Sequence, residues 1–65
     1  MHIAIHYNCW FDNRTLLYIH TINYNYNGKY RSVIIKEDNN CEYSDEHIRD
    51  IVFNDMRKYI KIYRK

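Results

Sequence analysis

The sequence predicts an α+β fold: a three-stranded antiparallel β-meander followed by one C-terminal α-helix packed on one face, in the order βββα. Residues 2–11 alternate between apolar and polar side chains, as a half-buried strand does. Asn27-Gly28 is a strong hairpin signal, and apolar residues recur at helical spacing after Ser44. A chain of 65 residues has room for one core, so we assign residues 1–65 to a single domain.

The first strand is predicted from its period of two. The side chains on one of its sides are Ile3, Ile5, Tyr7, Cys9 and Phe11. Asp12-Asn13 then predicts a two-residue turn, because both residues tolerate positive φ. A turn of that length places Tyr7 opposite Tyr18 and Ile5 opposite His20 in the first hairpin.

The second and third strands are predicted on either side of Asn27-Gly28. Residues 14–26 and 29–36 are rich in β-branched and aromatic side chains. A two-residue turn between them places Ile22 opposite Val33 and His20 opposite Ile35. One face of the sheet is then apolar along its length, and we expect it to carry the core.

A C-terminal helix is predicted from Asp45 to Tyr63. The hydroxyl of Ser44 can cap the first turn, and acids at Asp45 and Glu46 favour the positive end of the helix. At 100° per residue one arc holds Ile48, Ile51, Val52, Met56, Tyr59, Ile62 and Tyr63. We expect Ile48, Val52 and Tyr59 to pack on the apolar face of the sheet.

The opposite sheet face is too apolar to be merely solvated, and it is the predicted protein-binding site. Its large side chains are Trp10, Leu17, Ile19, Tyr30 and Ile34. One helix covers only one face of a sheet, so a partner is needed to cover these side chains. Contiguous apolar patches on small proteins mark contact sites.

Nucleic-acid binding is the alternative. A three-stranded sheet with a C-terminal helix is similar in outline to the DNA-binding arm domains of some integrases, which lay a sheet in the major groove. That resemblance implies contacts from the hairpin residues Tyr24, Tyr26, Lys29, Tyr30 and Arg31. The formal net charge of +2 is too small to favour it, and residues 37–46 contain five acids and no basic side chain. The basic residues at 57–65 are placed as the helix dipole alone would place them.

Histidine and cysteine are present, but no spacing among them predicts a metal site, a cofactor or an enzyme. His2 and His6 would lie about 13 Å apart on one strand, too far to share an ion. We expect Cys9 to be buried and reduced and Cys41 to lie in a loop. His20 and Asp55 are both predicted at the sheet–helix interface, with either a direct contact or tyrosine hydroxyls satisfying them.

The chain begins without a cationic leader and contains no long apolar run, which predicts a cytoplasmic protein. It is short and rich in residues with A/T-rich codons, and it carries no catalytic motif. In kind it resembles small accessory proteins of phages and mobile elements, such as anti-CRISPR proteins and anti-restriction inhibitors. That resemblance covers no motif. It implies a non-catalytic inhibitor of a host or defence protein, or of a protein–RNA complex, in the host cytoplasm; a homodimer is a further expectation.

Overall fold

The computed structural model describes residues 3–38 and 42–59 and confirms the βββα fold. Strands β1 (Ile5–Asp12), β2 (Leu17–Tyr26) and β3 (Lys29–Glu37) form one antiparallel sheet in the order β1-β2-β3. Helix α1 (Asp45–Met56) follows. Consecutive strands joined by short turns become neighbours, so the order along the chain is also the order in the sheet.

The second hairpin has the predicted turn and register. Asn27 and Gly28 have positive φ angles of 58° and 78°. Positive φ at both central residues defines the type I′ turn, whose twist matches that of the flanking strands. Ile22 therefore lies opposite Val33 and His20 opposite Ile35, as predicted.

The first hairpin differs from its prediction in register. Tyr7 lies opposite Ile22 rather than Tyr18, and the loop has four residues instead of two. Asp12 organises this loop: its carboxylate accepts hydrogen bonds from the hydroxyl of Thr15 (2.8 Å) and the backbone N–H of Arg14 (3.3 Å). Leu16 closes the loop with a φ of 62°, a rare value for a bulky residue.

The shift in register leaves the two faces of the sheet as predicted. It amounts to four residues, and side chains alternate with a period of two, so an even shift keeps every side chain on its face. Ile5, predicted opposite His20, instead lies opposite Tyr24 on the same face. The composition of each face was therefore predictable even though the pairing was not.

The core lies between β2 and α1. Ile22 and Tyr24 of the central strand pack with Ile48, Val52 and Met56 of the helix. The half-buried side chains around this core are Ile3, Ile5, Tyr7, Tyr26, Val33, Tyr43 and Ile51. The predicted packing of the helix on the apolar sheet face is thus confirmed for its first three turns.

The helix begins as predicted and ends earlier. The hydroxyl of Ser44 accepts a hydrogen bond from the backbone N–H of His47 (3.2 Å). The predicted end at Tyr63 is wrong: α1 ends at Met56, and the backbone N–H groups of Lys58 and Tyr59 donate to carbonyls three residues earlier. Such bonds tighten the chain into 3₁₀ geometry. Residues 60–63 of the predicted helix lie outside the described residues. In the part of the chain that the structure describes, no helix is long and apolar enough to cross a bilayer.

We expect Ile22→Val to lower the free energy of unfolding by about 1 kcal/mol, because it removes a methylene-sized volume from a site with no exposed surface. Ile34→Val is the matched control, since Ile34 lies on the other face and is exposed, and its effect should stay within about 0.5 kcal/mol. Urea unfolding followed by circular dichroism measures both. Equal losses of unfolding free energy in the two variants would contradict the assignment of the core to the face that carries Ile22.

Candidate functional site

The second sheet face carries a small exposed apolar patch at the end formed by the first hairpin. We call Trp10, Leu17, Ile19 and Ile34 the apolar patch. Trp10 lies directly opposite Ile19, and Ile34 is diagonal to Ile19 on β3. Trp10 is 49% exposed and Ile34 60%, whereas Ile19 is only 7% exposed. Ile19 is therefore the buried floor of the patch, a correction to the expectation that it is exposed.

Tyr30 does not belong to the apolar patch. It lies opposite Asn25 near the second turn, six residues along β2 from Ile19. That spacing corresponds to about 20 Å. Tyr30 is 80% exposed, so it is available for contact but at the far corner of the sheet. The structure brings together four of the five residues predicted for protein binding.

The rest of the second face is polar and nearly uncharged. Asn23 and Ser32 lie opposite one another and share a hydrogen bond of 2.7 Å. The charged side chains that the described strands place on this face are Asp12 and Lys36, one of each sign. A hydrogen bond from the Thr15 hydroxyl lowers the pKa of Asp12, which favours its ionised form. The polar groups around the apolar patch therefore carry charges that balance.

The residues of the nucleic-acid alternative do not form one surface. Tyr24 is 1% exposed, and Tyr26 packs against the core. The guanidinium of Arg31 lies over the ring of Tyr59, with Cζ 3.7 Å from the ring centroid. Lys29 and Tyr30 are exposed, but as neighbours along a strand they point to opposite faces. Their binding to nucleic acid stays a prediction without an assembled site.

A stack of aromatic rings buries His20 between the sheet and the loop before α1. The rings of His20 and Tyr43 are parallel to within 6°, with centroids 4.0 Å apart. Nδ1 of His20 shares a hydrogen bond of 2.9 Å with the hydroxyl of Tyr7, which also accepts from the backbone N–H of Tyr43 at 3.1 Å. His20 has no exposed surface, and its Nε2 has no partner among the described residues. Tyr43 thus links the sheet to the start of the helix.

Asp55 is held at the other end of the helix. The hydroxyl of Tyr24 donates to its Oδ2 at 2.5 Å, and the ammonium of Lys58 lies 3.1 Å from its Oδ1. The sequence predicts either a direct contact between His20 and Asp55 or tyrosine hydroxyls as their partners. The structure shows a tyrosine hydroxyl bonded to each. His20 and Asp55 thus have separate partners, Tyr7 for His20 and Tyr24 for Asp55.

The position of Tyr43 immediately before the N-cap Ser44 predicts that its ring staples onto Ile48, and the ring does pack against the core that contains Ile48. The sequence does not predict its other contacts. The Tyr43 hydroxyl donates to Oε2 of Glu37 at 2.5 Å. Burial is the larger cause that raises the pKa of Tyr43, and this hydrogen bond raises it further. Its partner Glu37 lies six residues earlier across a loop, so no periodicity relates the two.

Two shallow grooves lined by described residues flank the helix, and neither lining shows an arrangement of side chains typical of an active site. One, of about 250 Å³, is lined by Ile5, Tyr7, Asp45, Ile48 and Arg49. The other, of about 240 Å³, is lined by Val33, Ile51, Asn54, Asp55 and Lys58. Within residues 3–38 and 42–59, no three His, Cys, Asp or Glu side chains are placed to hold a metal ion.

Cys9 lies on the predicted face of β1 with a free thiol, opposite His20. It is half-buried rather than buried, because β1 is an edge strand and the helix does not reach this end of the sheet. Cys41 lies outside the described residues.

Comparison with known proteins finds no match for this chain among protein-family models, curated proteins or solved structures.

The Tyr24 hydroxyl gives a testable pH dependence. Burial, together with the carboxylate of Asp55, raises the pKa of Tyr24, so the folded chain keeps the phenol proton above about pH 10, where the unfolded chain releases it. Stability should therefore fall as the pH rises above about 10, with up to about 1.4 kcal/mol per pH unit from this group.

Tyr24→Phe removes that group and should flatten the alkaline slope of the unfolding free energy. It should also cost about 1–3 kcal/mol at pH 7, because Asp55 loses its buried donor. Tyr30→Phe, at an exposed site, should leave both quantities unchanged. The measurement is urea unfolding at a series of pH values from 7 to about 11. A slope as steep in Tyr24→Phe as in the wild type would contradict the assignment.

Proposed function

We propose that this protein is a small non-catalytic protein-binding module and that the apolar patch is its contact surface. The observation that carries the proposal is the exposure of Trp10 and Ile34 on either side of the buried Ile19. Ile19 is covered, but Trp10 and Ile34 beside it keep about half of their own side-chain surface in water. A partner that covers them removes further apolar surface from water, at about 25 cal/mol per Å².

The shape and composition of the patch suit a protein partner. Tryptophan is among the side chains most enriched at the centres of protein interfaces, where truncation often costs about 2 kcal/mol or more. The patch is bordered by Thr21, Asp12 and Lys36, which can form the polar rim that such interfaces have.

Charge favours a protein over a nucleic acid as the occupant. Nucleic-acid surfaces concentrate Lys and Arg, because neutralised phosphates supply most of the affinity. On this face Lys36 is balanced by Asp12, and Arg31 is engaged with the ring of Tyr59 on the other face.

For the identity of the partner, we propose a host or defence protein, alone or in complex with RNA, in the cytoplasm of a host cell. The support is the resemblance in kind to phage and mobile-element inhibitors, which the size and A/T-rich codon composition of the chain suggest. The module would act by occupying a surface of its target, an activity that needs no reactive group of its own.

Ile34→Asp tests the proposal, because it puts a charge within the patch at an exposed position. We expect it to reduce capture of the target at least about tenfold, the effect of losing about 1.4 kcal/mol. Phe53→Asp is the matched control: Phe53 is 53% exposed on the helix, away from this face, and its replacement should leave capture intact.

The assay is affinity capture from host lysate, followed by direct binding to the purified target at low and high salt, with and without nuclease. Retention of capture in 0.5 M salt after nuclease treatment supports a protein partner. The proposal fails if Ile34→Asp and Phe53→Asp behave alike. It also fails if capture disappears in high salt, as it would if phosphate contacts supplied the affinity. Loss of capture after nuclease treatment alone identifies the protein–RNA complex among the two proposed targets.

A further inference from the structure

The two edges of the sheet are not equivalent. Strand order β1-β2-β3 leaves one edge of β1 and one edge of β3 without a neighbouring strand among the described residues. Proteins protect such edges with charged side chains, lysine above all, or with proline and bulges. Strand β3 carries Lys29, Arg31 and Lys36, whereas β1 contains no lysine, arginine or proline and a single acid, Asp12, at its end.

The sequence of β1 is complementary to itself in one antiparallel register. Residues directly opposite each other in an antiparallel pair share a face. Two copies of β1 can therefore pair only so that the residue numbers at opposite positions differ by an even number. With the two-fold axis at Cys9, Tyr7 lies opposite Phe11 of the second copy and His6 opposite Asp12. Aromatic pairs are among the favourable cross-strand combinations, and an imidazole N–H can donate to a carboxylate across the pair. Each occurs twice because of the symmetry.

The surface beside β1 fits this arrangement. Phe11 lies on the helix side of β1 and is 43% exposed. Among the described residues, the one aromatic ring that it contacts is that of Tyr18. The groove of about 250 Å³ lined by Ile5, Tyr7 and Ile48 borders the same strand. In the Cys9-centred register Phe11 of the second copy lies opposite Tyr7 and next to this groove. An exposed ring and an apolar groove are thereby brought together on both sides of the axis.

We propose that this protein forms a homodimer by antiparallel pairing of β1 with β1 of a second copy, centred on Cys9. The two sheets become one six-stranded sheet, and the unpaired backbone groups of both edges are satisfied. The two Trp10 side chains come to lie on one face with Cα atoms about 8 Å apart. The apolar patches of the two copies then adjoin one another. Formation of this dimer does not require the target proposed above, and its strand-to-strand hydrogen bonds are made by the edge of β1.

Charge at position 6 tests the register. His6 is exposed, and in the proposed dimer it faces Asp12 of the second copy. His6→Asp should weaken dimerisation at least about tenfold, and His6→Lys should strengthen it, because like charges opposite one another destabilise a pair and opposite charges stabilise it. Ser32→Asp and Ser32→Lys on β3 make the same charge changes at an exposed position away from the axis and should leave the dimer unchanged. Sedimentation equilibrium at low salt measures all four.

Cysteine cross-linking gives an independent test. In the Cys41→Ser background, mild oxidation with diamide should join two copies through Cys9, because directly opposite Cα atoms lie about 4.5–5.5 Å apart, within disulfide range. The thiol moved to position 8, as Asn8→Cys in a chain with Cys9→Ser and Cys41→Ser, should not cross-link, since Asn8 faces Trp10.

The outcomes separate the alternatives. A Cys9-linked dimer with opposite responses to His6→Asp and His6→Lys supports the proposal. A chain that stays monomeric at about 100 μM, cross-linking at position 8 instead of 9, or equal responses at His6 and Ser32 overturns it. Target capture by the Ile34→Asp and Phe53→Asp variants is measured separately, so failure of the dimer does not decide the proposed function.

Discussion

A helix of 12 residues has to cover a sheet whose central strand has 10, and this mismatch in length governs the rest of the structure. Such a helix is about 18 Å long, whereas ten residues of strand extend about 33 Å. The helix covers the region of Ile22 and Tyr24. Toward the first hairpin, the loop residue Tyr43 takes over and stacks on His20, and beyond it Phe11 is exposed. Aromatic rings therefore extend a core that the helix alone cannot close.

Tyrosine suits this task because it supplies both area and a polar group. A phenylalanine at position 24 would bury the same ring but leave Asp55 without its donor beneath the helix. The hydroxyl of Tyr7 likewise serves two otherwise unsatisfied groups, the ring nitrogen of His20 and the backbone N–H of Tyr43. These bonds attach both ends of the helical segment to the sheet. The core thus accounts for four of the eight tyrosines, Tyr7, Tyr24, Tyr26 and Tyr43, which pack in it or against it.

What the helix leaves uncovered determines where the protein can be recognised. The second face has no covering element among the described residues, and its apolar side chains gather at the end near the first hairpin. The unprotected edge of β1 meets this face at Trp10, which belongs to both surfaces. A contact at the edge and a contact on the face are therefore neighbouring events, and binding at one changes the surroundings of the other.

The sequence by itself determined the strands, their faces and the second hairpin. Alternation fixes which side chains share a face, and Asn27-Gly28 fixes a two-residue turn because both residues adopt positive φ without a large cost. Tertiary structure decided the rest. The first loop has four residues, with the carboxylate of Asp12 bonded to Thr15 within it. The helix ends at Met56, and the ring of Tyr59, three residues beyond, packs under Arg31. Ile19 is buried although no helix in the described part of the chain covers its face. These outcomes depend on contacts between residues that no local period relates, so only the folded chain could show them.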